Sequence, residues 1–310
     1  MSSAVGNAPI QFAPTASQLE MAYSVCRSIA RSAAKNFYYG FMVLPSRKRN
    51  ALSAVYAFMR RCDDIADDNM LTARDRHIKL AEWLDKAHRA LAAQPTDDAV
   101  LLALTDAQRN YQIPVGLLDQ LAFGTAADLE YGEEPAAGAP LTARYQTYEE
   151  LRQYCYGVAS VVGLVCIKIF GYRDPAAEPL AERCGLAFQL TNIIRDVKED
   201  VAVGRVYFPQ EDLAQFNLSA TDLAAPDAAR IRPLLAMEAD RARECYASGE
   251  ELIALVHEDS QPALWVLITI YRRLLEKMAA NQYDVFSSRV RLTVLEKVMV
   301  LGKGILKRLM

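Results

Sequence analysis

Residues 50–68 read NALSAVYAFMRRCDDIADD, an apolar stripe that leads into a cluster of aspartates. The apolar side chains that recur at three- and four-residue spacing are Ala51, Val55, Phe58, Met59 and Cys62. This periodicity predicts one buried face of an α-helix. It continues along most of the chain without an alternating strand pattern, and glycine is scarce at 14 of 310 residues. The sequence therefore predicts an all-α bundle that folds as a single domain.

Start and stop signals divide the chain into predicted helices. Residues 1–17 are rich in small residues and proline and are predicted to be a flexible arm, which leaves 18–310 as the folded domain. The first helix is expected from Ser17 to Lys35, and the second after Pro45 with Ser46 as its N-cap. Further helices are expected at about 72–93, 97–111, 114–130, 147–170, 177–202, 209–216, 226–257, 261–281 and 288–309.

Composition excludes several classes of protein. With 52% hydrophobic and 24% charged residues the chain is not intrinsically disordered, and a net charge of −3 argues against nucleic-acid binding. The six cysteines form no C-x-x-C pair and are interpreted as reduced core residues of a cytoplasmic protein. The most apolar stretch, Val158 to Tyr172, is interrupted by Lys168 and is predicted to be a core helix rather than a membrane span.

Two acidic clusters stand out, CDDIADD at 62–68 and QLTNIIRDVKED at 189–200. Each places aspartates four residues apart, which puts both carboxylates on one face of a helix. The pairs that carry the argument are Asp63 with Asp67 and Asp196 with Asp200, and Asn192 lies one turn before the second pair.

These acids are poorly placed for helix stability. Like charges four residues apart oppose the helix by roughly 0.2–0.5 kcal/mol per pair, and acids near a helix C-terminus cost about 0.3–1 kcal/mol each. A bound cation would relieve this penalty, and oxygen ligands without His or Cys suit Mg²⁺. Arg60 and Arg61 precede the first set of acids, and Arg195 directly precedes Asp196 of the second, so a guanidinium stands beside each set to bind a diphosphate. Either cluster alone is more typical of a solvated helix end; the two together favour a metal and diphosphate site.

Three segments resemble the signature regions of the squalene/phytoene synthase family, in that family's order. They are NFYYGFMVLPSRKRNALSAVYAFMRRCDDIADD at 36–68, YCYGVASVVGLVC at 154–166 and GLAFQLTNIIRDVKEDVAVGRVYFP at 185–209. The resemblance extends from about Ser17 to Arg291. It implies an isoprenoid-synthase helical bundle with a central apolar cavity, in which Mg²⁺ and the acidic motifs hold two prenyl diphosphates.

The resemblance also implies roles for individual residues. Metal ligation falls on Asp63, Asp67, Asn192, Asp196 and Asp200, and further catalytic contacts fall on Tyr56, Arg60 and Tyr207. Substrate binding falls on Phe37, Val158, Ala159, Val162, Gly163, Gly185, Gln189 and Arg289, together with the Arg195 already noted. The chain departs from the family where Ala34 and Asn36 stand in place of two serines that many members carry, and Lys35 or Asn36 is expected to compensate.

The expected reaction is the head-to-head condensation of two farnesyl diphosphates to presqualene diphosphate. Whether the chain continues to squalene with NADPH is left open by the sequence. The alternative is a phytoene synthase that condenses two geranylgeranyl diphosphates, and cavity depth would distinguish the two. A non-enzymatic alternative is a helical scaffold protein whose acidic helix ends are merely solvated.

The C-terminal segment RVRLTVLEKVMVLGKGILKRLM (289–310) is basic and amphipathic. One interpretation, slightly favoured, is that its apolar face closes the bundle and its basic residues face water. The other is that it binds anionic lipid, which contributes about 1 kcal/mol per basic residue near the surface. We expect weak, salt-sensitive association of a cytoplasmic protein with the inner face of the membrane, without a spanning segment.

Overall fold

The computed structural model describes residues 14–68, 70–130 and 141–309, and within these ranges the regular secondary structure is helical apart from one isolated bridge between Tyr172 and Val256. The helices are α1 Ala16–Ala33, α2 Lys35–Val43, α3 Ser46–Ala66, α4 Ala73–Leu91, α5 Ala99–Tyr111, α6 Val115–Glu130, α7 Tyr148–Cys155, α8 Val161–Phe170, α9 Ala177–Ala202, α10 Gln210–Gln215, α11 Ala228–Leu255, α12 Gln261–Ala280 and α13 Val294–Leu309. A π-helical turn, Tyr156–Ser160, joins α7 to α8, and a 3₁₀ turn spans Ala220–Leu223. The predicted all-α class is confirmed.

Two helix starts differ from the sequence prediction. Thr15 caps α1: its hydroxyl accepts the backbone N–H of Gln18, whose side chain accepts the N–H of Thr15, so the helix begins one residue before Ser17. Residues 1–13 of the predicted arm lie outside the described residues. The prediction of Ser46 as an N-cap is wrong, because α3 begins at Ser46 and Pro45 in extended conformation precedes it.

Three further helical features differ from the sequence prediction. α2 was not predicted, because its aromatic run KNFYYGFMV has little amphipathic periodicity and is stabilised by packing against α12 and α13. The predicted helix at 147–170 is interrupted by the π-helical turn. The last helix begins at Val294 rather than at about 288, and the non-helical residues 289–293 before it include Arg289 of the site described below.

The long helix α9 runs through the middle of the bundle and packs against α8, α11 and α12. Its approach to the π-helical turn depends on Gly185, where a Cβ atom would lie 2.6 Å from the carbonyl oxygen of Ala159. Gly163 on α8 is similar, since its Cβ would lie 2.7 Å from the carbonyl oxygen of Ala181. These two glycines let two helical backbones approach closely.

The six cysteines are unpaired thiols, five of them buried and Cys166 half-buried, in agreement with the predicted core placement. Within the described ranges one helical stretch, Tyr148–Phe170, is long and apolar enough to cross a membrane. It packs here against α6 and α9 as part of the core, and Lys168 reaches Glu178 at 2.9 Å. This agrees with the prediction of a core helix.

Candidate active site

An apolar cavity lies between α2, α3, α8, α9 and α12. Many of the residues assigned by sequence line it: Phe37, Tyr56, Val158, Ala159, Val162, Gly163, Gly185, Gln189 and Asn192. The expected central apolar cavity is therefore present, and the structure brings these predicted substrate contacts together in its wall.

Both acidic motifs continue helices that line this cavity. On α3 the lining residues Tyr56 and Met59 directly precede Asp63, and on α9 the lining residues Gln189 and Asn192 precede Asp196. The motifs thus stand at one end of the cavity, near the C-termini of their helices, as the sequence predicted. The cavity combines an apolar interior with an acidic and basic end.

Asp196 is the centre of charge at this end. Arg195 Nε donates to Asp196 Oδ1 at 2.7 Å, and its Nη2 donates to Oδ2 of the same carboxylate. Arg289 Nη2 lies 2.7 Å from Asp196 Oδ1 and approaches from the segment that precedes α13. Arg289 Nε also lies 3.9 Å from Glu199. Two guanidinium groups therefore share one carboxylate, and both have donors free for a second anion.

Lys297 belongs to the same cationic group and was missed by the sequence analysis, which treated it as a surface charge. Its ammonium lies 5.5 Å from the ring centroid of Tyr39 on α2. Burial, followed by the positive charges of Arg195 and Arg291, lowers the pKa of Lys297. Lys297 thus adds a third positive charge near Arg195, and such a group of like charges favours the binding of an anion.

Tyr271 on α12 is a second residue that the sequence analysis missed. Its ring stacks on Phe188 at 4.3 Å and meets Phe37 edge-on at 5.7 Å. Burial raises its pKa to about 12, and Arg195, Asp196 and Tyr56 are among its electrostatic neighbours. The hydroxyl of Tyr271 therefore lies between the two motif helices. Only its place in the fold reveals this, because its sequence context is that of an ordinary core aromatic.

The first motif is more open than the second. Asp63 is half-buried and lies near Tyr56, whose pKa is raised mainly by burial. Asp67 is exposed at the C-cap of α3. Arg60 is half-buried one turn after the lining residue Tyr56, and its Nη2 forms an ion pair with Asp64 at 2.6 Å.

Asn192 carries a buried amide oxygen, Oδ1, without a hydrogen-bond partner. Its amide nitrogen lies 3.4 Å from Gln189 Oε1. Asp200 is half-buried in the last turn of α9. Among the described residues no three His, Cys, Asp or Glu side chains gather closely enough to hold a metal ion. The oxygen donors suit a hard cation in kind, and part of its shell must come from a ligand or water.

Tyr207, predicted from the RVYFP segment, is buried in an aromatic stack. Its ring lies 5.3 Å from Tyr154, which in turn lies 5.5 Å from Tyr145. The guanidinium of Arg144 lies 5.2 Å from the Tyr207 centroid. Like the motif aspartates, Tyr207 is not among the residues that line the apolar cavity, and its predicted contact with the diphosphates stays a prediction.

The fold and the site define an α-helical enzyme for ligands with a long apolar part and an anionic end. The squalene/phytoene synthase family model matches residues 30–296. The chain is 36% identical to a phytoene synthase from Mycobacterium bovis, covering 91% of this chain and 90% of that protein. It is 34% identical to a 15-cis-phytoene synthase from Synechococcus elongatus, and the match covers 93% of this chain and 94% of that protein.

Solved structures agree with these relatives. A dehydrosqualene synthase in complex with a ligand matches with a TM-score of 0.80 and 28% identity over 93% of this chain and 96% of that one. The squalene synthase HpnC from Alicyclobacillus acidocaldarius matches with a TM-score of 0.75 and 27% identity over 87% and 97%. The chain belongs to the squalene/phytoene synthase family. It is an enzyme of the prenyltransferase type whose substrates are prenyl diphosphates.

Proposed function

We propose that this chain condenses two farnesyl diphosphates head to head, with Mg²⁺, to give presqualene diphosphate. The observation that carries the proposal is that two acid-bearing helices line one apolar cavity and place their acids at the same end of it. A scaffold protein has no need of this arrangement, and family membership favours an enzyme over that alternative.

The acids at the cavity end would hold the cation. On the first helix these are Asp63 and Asp67; on the second they are Asp196 and Asp200, and the amide oxygen of Asn192 would join them. When bound, Mg²⁺ neutralises charge on the leaving diphosphate and so favours ionisation of the allylic bond. The buried, unbonded Oδ1 of Asn192 supports this assignment, because a buried acceptor without a partner is costly unless a ligand satisfies it.

The basic residues at the same end would bind diphosphate oxygens. Arg195 and Arg289 are held at Asp196, and Lys297 stands near Arg195. An arriving diphosphate offers these cations new partners, and Asp196 is then free to ligate the metal. Planar guanidinium groups suit this exchange because they bind carboxylate and phosphate oxygens in the same bidentate way.

The apolar wall would protect the reacting cation from water. One farnesyl diphosphate loses inorganic diphosphate, and the double bond of the second attacks the resulting carbon. Loss of a proton closes the cyclopropane, so two substrates give presqualene diphosphate, inorganic diphosphate and a proton. The rings of Phe37, Tyr56 and Tyr271 border the acidic end, and cation–π contact with them contributes about 2 kcal/mol when desolvated.

A second candidate is the condensation of two geranylgeranyl diphosphates by a phytoene synthase. The names of the two sequence relatives above favour it, whereas the names of the two solved structures favour a squalene-type reaction. Onward conversion to squalene would require NADPH.

We also propose a cytoplasmic enzyme that works at the inner surface of the membrane, and the surface concerned is described in the next subsection.

Incubation of the purified full chain with each diphosphate tests these proposals. We expect farnesyl diphosphate and Mg²⁺ to give presqualene diphosphate, and chelation to stop the reaction. Parallel reactions with NADPH would reveal squalene. Formation of a C40 product from geranylgeranyl diphosphate, with farnesyl diphosphate left unreacted, would establish the second candidate instead. Absence of any condensed product from both substrates would overturn both.

A further inference from the structure

The outward face of α13 is apolar, although it was expected to be basic. Six large apolar side chains on this helix are more than two-fifths exposed: Val294, Leu295, Val298, Met299, Ile305 and Leu306. At 100° per residue they fall within one arc of about 140° on the helix. We call this arc the α13 stripe. The helix does pack on the bundle, and Lys303 and Lys307 do face water, as the favoured sequence interpretation expected, but most of its large apolar side chains face water too.

The opposite side of the helix fixes this orientation. Val300 is fully buried, and Gly304 lies against α12, where a Cβ atom would meet the Val266 side chain at 2.3 Å. Glu296 binds Lys277 of α12 at 3.0 Å. The side of α13 that meets the bundle is thus formed by Val300, Gly304 and the Glu296–Lys277 ion pair. Most of its large apolar residues lie on the solvent side.

The charges around the α13 stripe indicate what it contacts. Lys303 is exposed about 40° beyond the edge of the stripe, and Arg291 is exposed just before the helix. Lys307 is also exposed, further round the helix, where its ammonium lies 5.2 Å from the Trp265 ring centroid. The sole carboxylate in the sequence of this helix, Glu296, is already paired with Lys277. A second copy of the chain would bring lysines against lysines, whereas an anionic lipid surface accepts the stripe and its basic border together.

The neighbouring helix connects this face to the cavity. α2 packs against α13, and it places Phe37 and Phe41 in the cavity wall. On the same short helix Met42 is 44% exposed. The exposed side of this pair of helices is thus one helix thickness away from the apolar interior.

We propose that the α13 stripe docks the protein on the surface of an anionic bilayer, with its apolar side chains inserted and its lysines at the headgroups. Docking of this kind needs no spanning segment. Its advantage rests on the proposed function, because an apolar product then leaves the cavity beside lipid. The docking itself does not rest on that function and is measured without substrate.

Vesicle flotation of the full chain tests the proposal. We expect binding to vesicles of phosphatidylcholine with phosphatidylglycerol at low salt, weaker binding as salt rises, and little binding to phosphatidylcholine alone. Leu295→Asp and Leu306→Asp should each weaken binding at least tenfold. Met21→Asp is the matched control, since Met21 on α1 is 61% exposed, as is Leu306, and lies away from the stripe. The control should bind as the parent chain does.

Thermal melts of all variants, together with sedimentation, complete the test. Because the substituted side chains are exposed, we expect parental melting temperatures. Equal binding by the parent and both stripe variants would overturn the proposal, as would no binding by the parent at low salt. If the parent chain self-associates, does not bind vesicles and becomes monomeric on Leu306→Asp, the stripe is an interface between copies instead.

Discussion

At the scale of single residues, Asp196 differs from the other motif acids. Its side chain is 18% exposed and balances Arg195 and Arg289, whereas Asp67 is exposed at the end of α3. The argument that motif acids burden their helices therefore applies to Asp67 and not to Asp196. The same residue type stabilises the fold at one motif and weakens its helix at the other.

Replacing these two aspartates should separate their effects. Asp196→Ala leaves two partly buried guanidinium groups without their shared partner, so we expect a loss of about 1–3 kcal/mol in the free energy of unfolding. Asp67→Ala removes an acid from a helix C-terminus and should leave stability unchanged or raise it by about 0.3–1 kcal/mol. Both variants should lose condensation activity. Urea unfolding and product assays measure the two effects, and an Asp196→Ala protein as stable as the parent would contradict the ion-pair argument.

Arg60→Lys tests whether Arg60 leaves Asp64 to contact substrate. The Arg60–Asp64 pair is an exposed i,i+4 pair, and such pairs contribute little to stability. We expect unchanged thermal unfolding but at least tenfold lower kcat/KM, because lysine cannot form a planar bidentate contact with a diphosphate. Arg89→Lys is the control, since Arg89 forms a similar exposed pair with Asp85 on α4. Equal activity in the two variants would show that Arg60 has no part in the reaction.

At the scale of elements, periodicity predicted the long helices well. The predicted α9, at 177–202, matches the observed Ala177–Ala202, because a long amphipathic segment carries its own signal. The π-helical turn Tyr156–Ser160 had no such signal. It fits against Gly185 on α9, where backbone approaches backbone, and such a contact is specified only in three dimensions.

The candidate site divides in the same way. Residues within the long motif helices, such as Asn192 and Gln189, could be placed from spacing and resemblance, and they do line the cavity. Tyr271 and Lys297 lie more than 70 residues further along the chain, on α12 and α13. Only the packing of those helices against α9 and α2 brings them to Asp196 and Tyr39. No local pattern records that packing.

A buried charge network on α11 predicts a pH dependence of stability. Arg241 binds Asp212 through two bonds of 2.6 and 2.9 Å and also reaches Glu238 at 3.0 Å. Burial first, then the nearby Asp212, raises the pKa of Glu238 to about 8, although Arg241 opposes this shift. One guanidinium cannot balance two carboxylates, so the folded protein retains a proton on this pair.

The sign of the effect follows from proton uptake. Between about pH 4.5 and 8 the folded state keeps a proton that the unfolded chain releases, so stability should fall as pH rises through that range, by at most about 1.4 kcal/mol per unit. Glu238→Gln should remove this slope. The variant should therefore lose less unfolding free energy than the parent between pH 5 and pH 8. Glu244→Gln is the control, because Glu244 is an exposed carboxylate on the same helix, and this variant should keep the parental slope. Urea unfolding across pH measures it, and parallel slopes for all three proteins would contradict the assignment.

At the scale of the whole molecule, the cavity has a direction. Asp63 and Asp196 mark its acidic end. Lining residues that lie further from these two aspartates along their helices define its depth. On α12 the residue nearest the acids is Tyr271, and Leu264 lies two turns earlier, about 10 Å along the helix axis. Leu52 on α3 and Phe170 on α8 are also among the lining residues furthest from the motifs. These side chains limit the length of prenyl chain that the cavity holds.

Leu264→Ala should therefore shift the choice of substrate toward longer chains. The ratio of kcat/KM for geranylgeranyl diphosphate to that for farnesyl diphosphate should rise at least fivefold, because the shortened side chain deepens the cavity at its far end. Leu274→Ala on the same helix removes the same atoms from a buried site outside the cavity wall. Both variants should lose about 2–5 kcal/mol of stability. A change in substrate preference seen only in Leu264→Ala is therefore due to cavity depth and not to destabilisation. An equal ratio in the two variants would show that Leu264 does not limit chain length. If the parent chain already prefers geranylgeranyl diphosphate, the limit lies elsewhere and the phytoene synthase reaction is favoured.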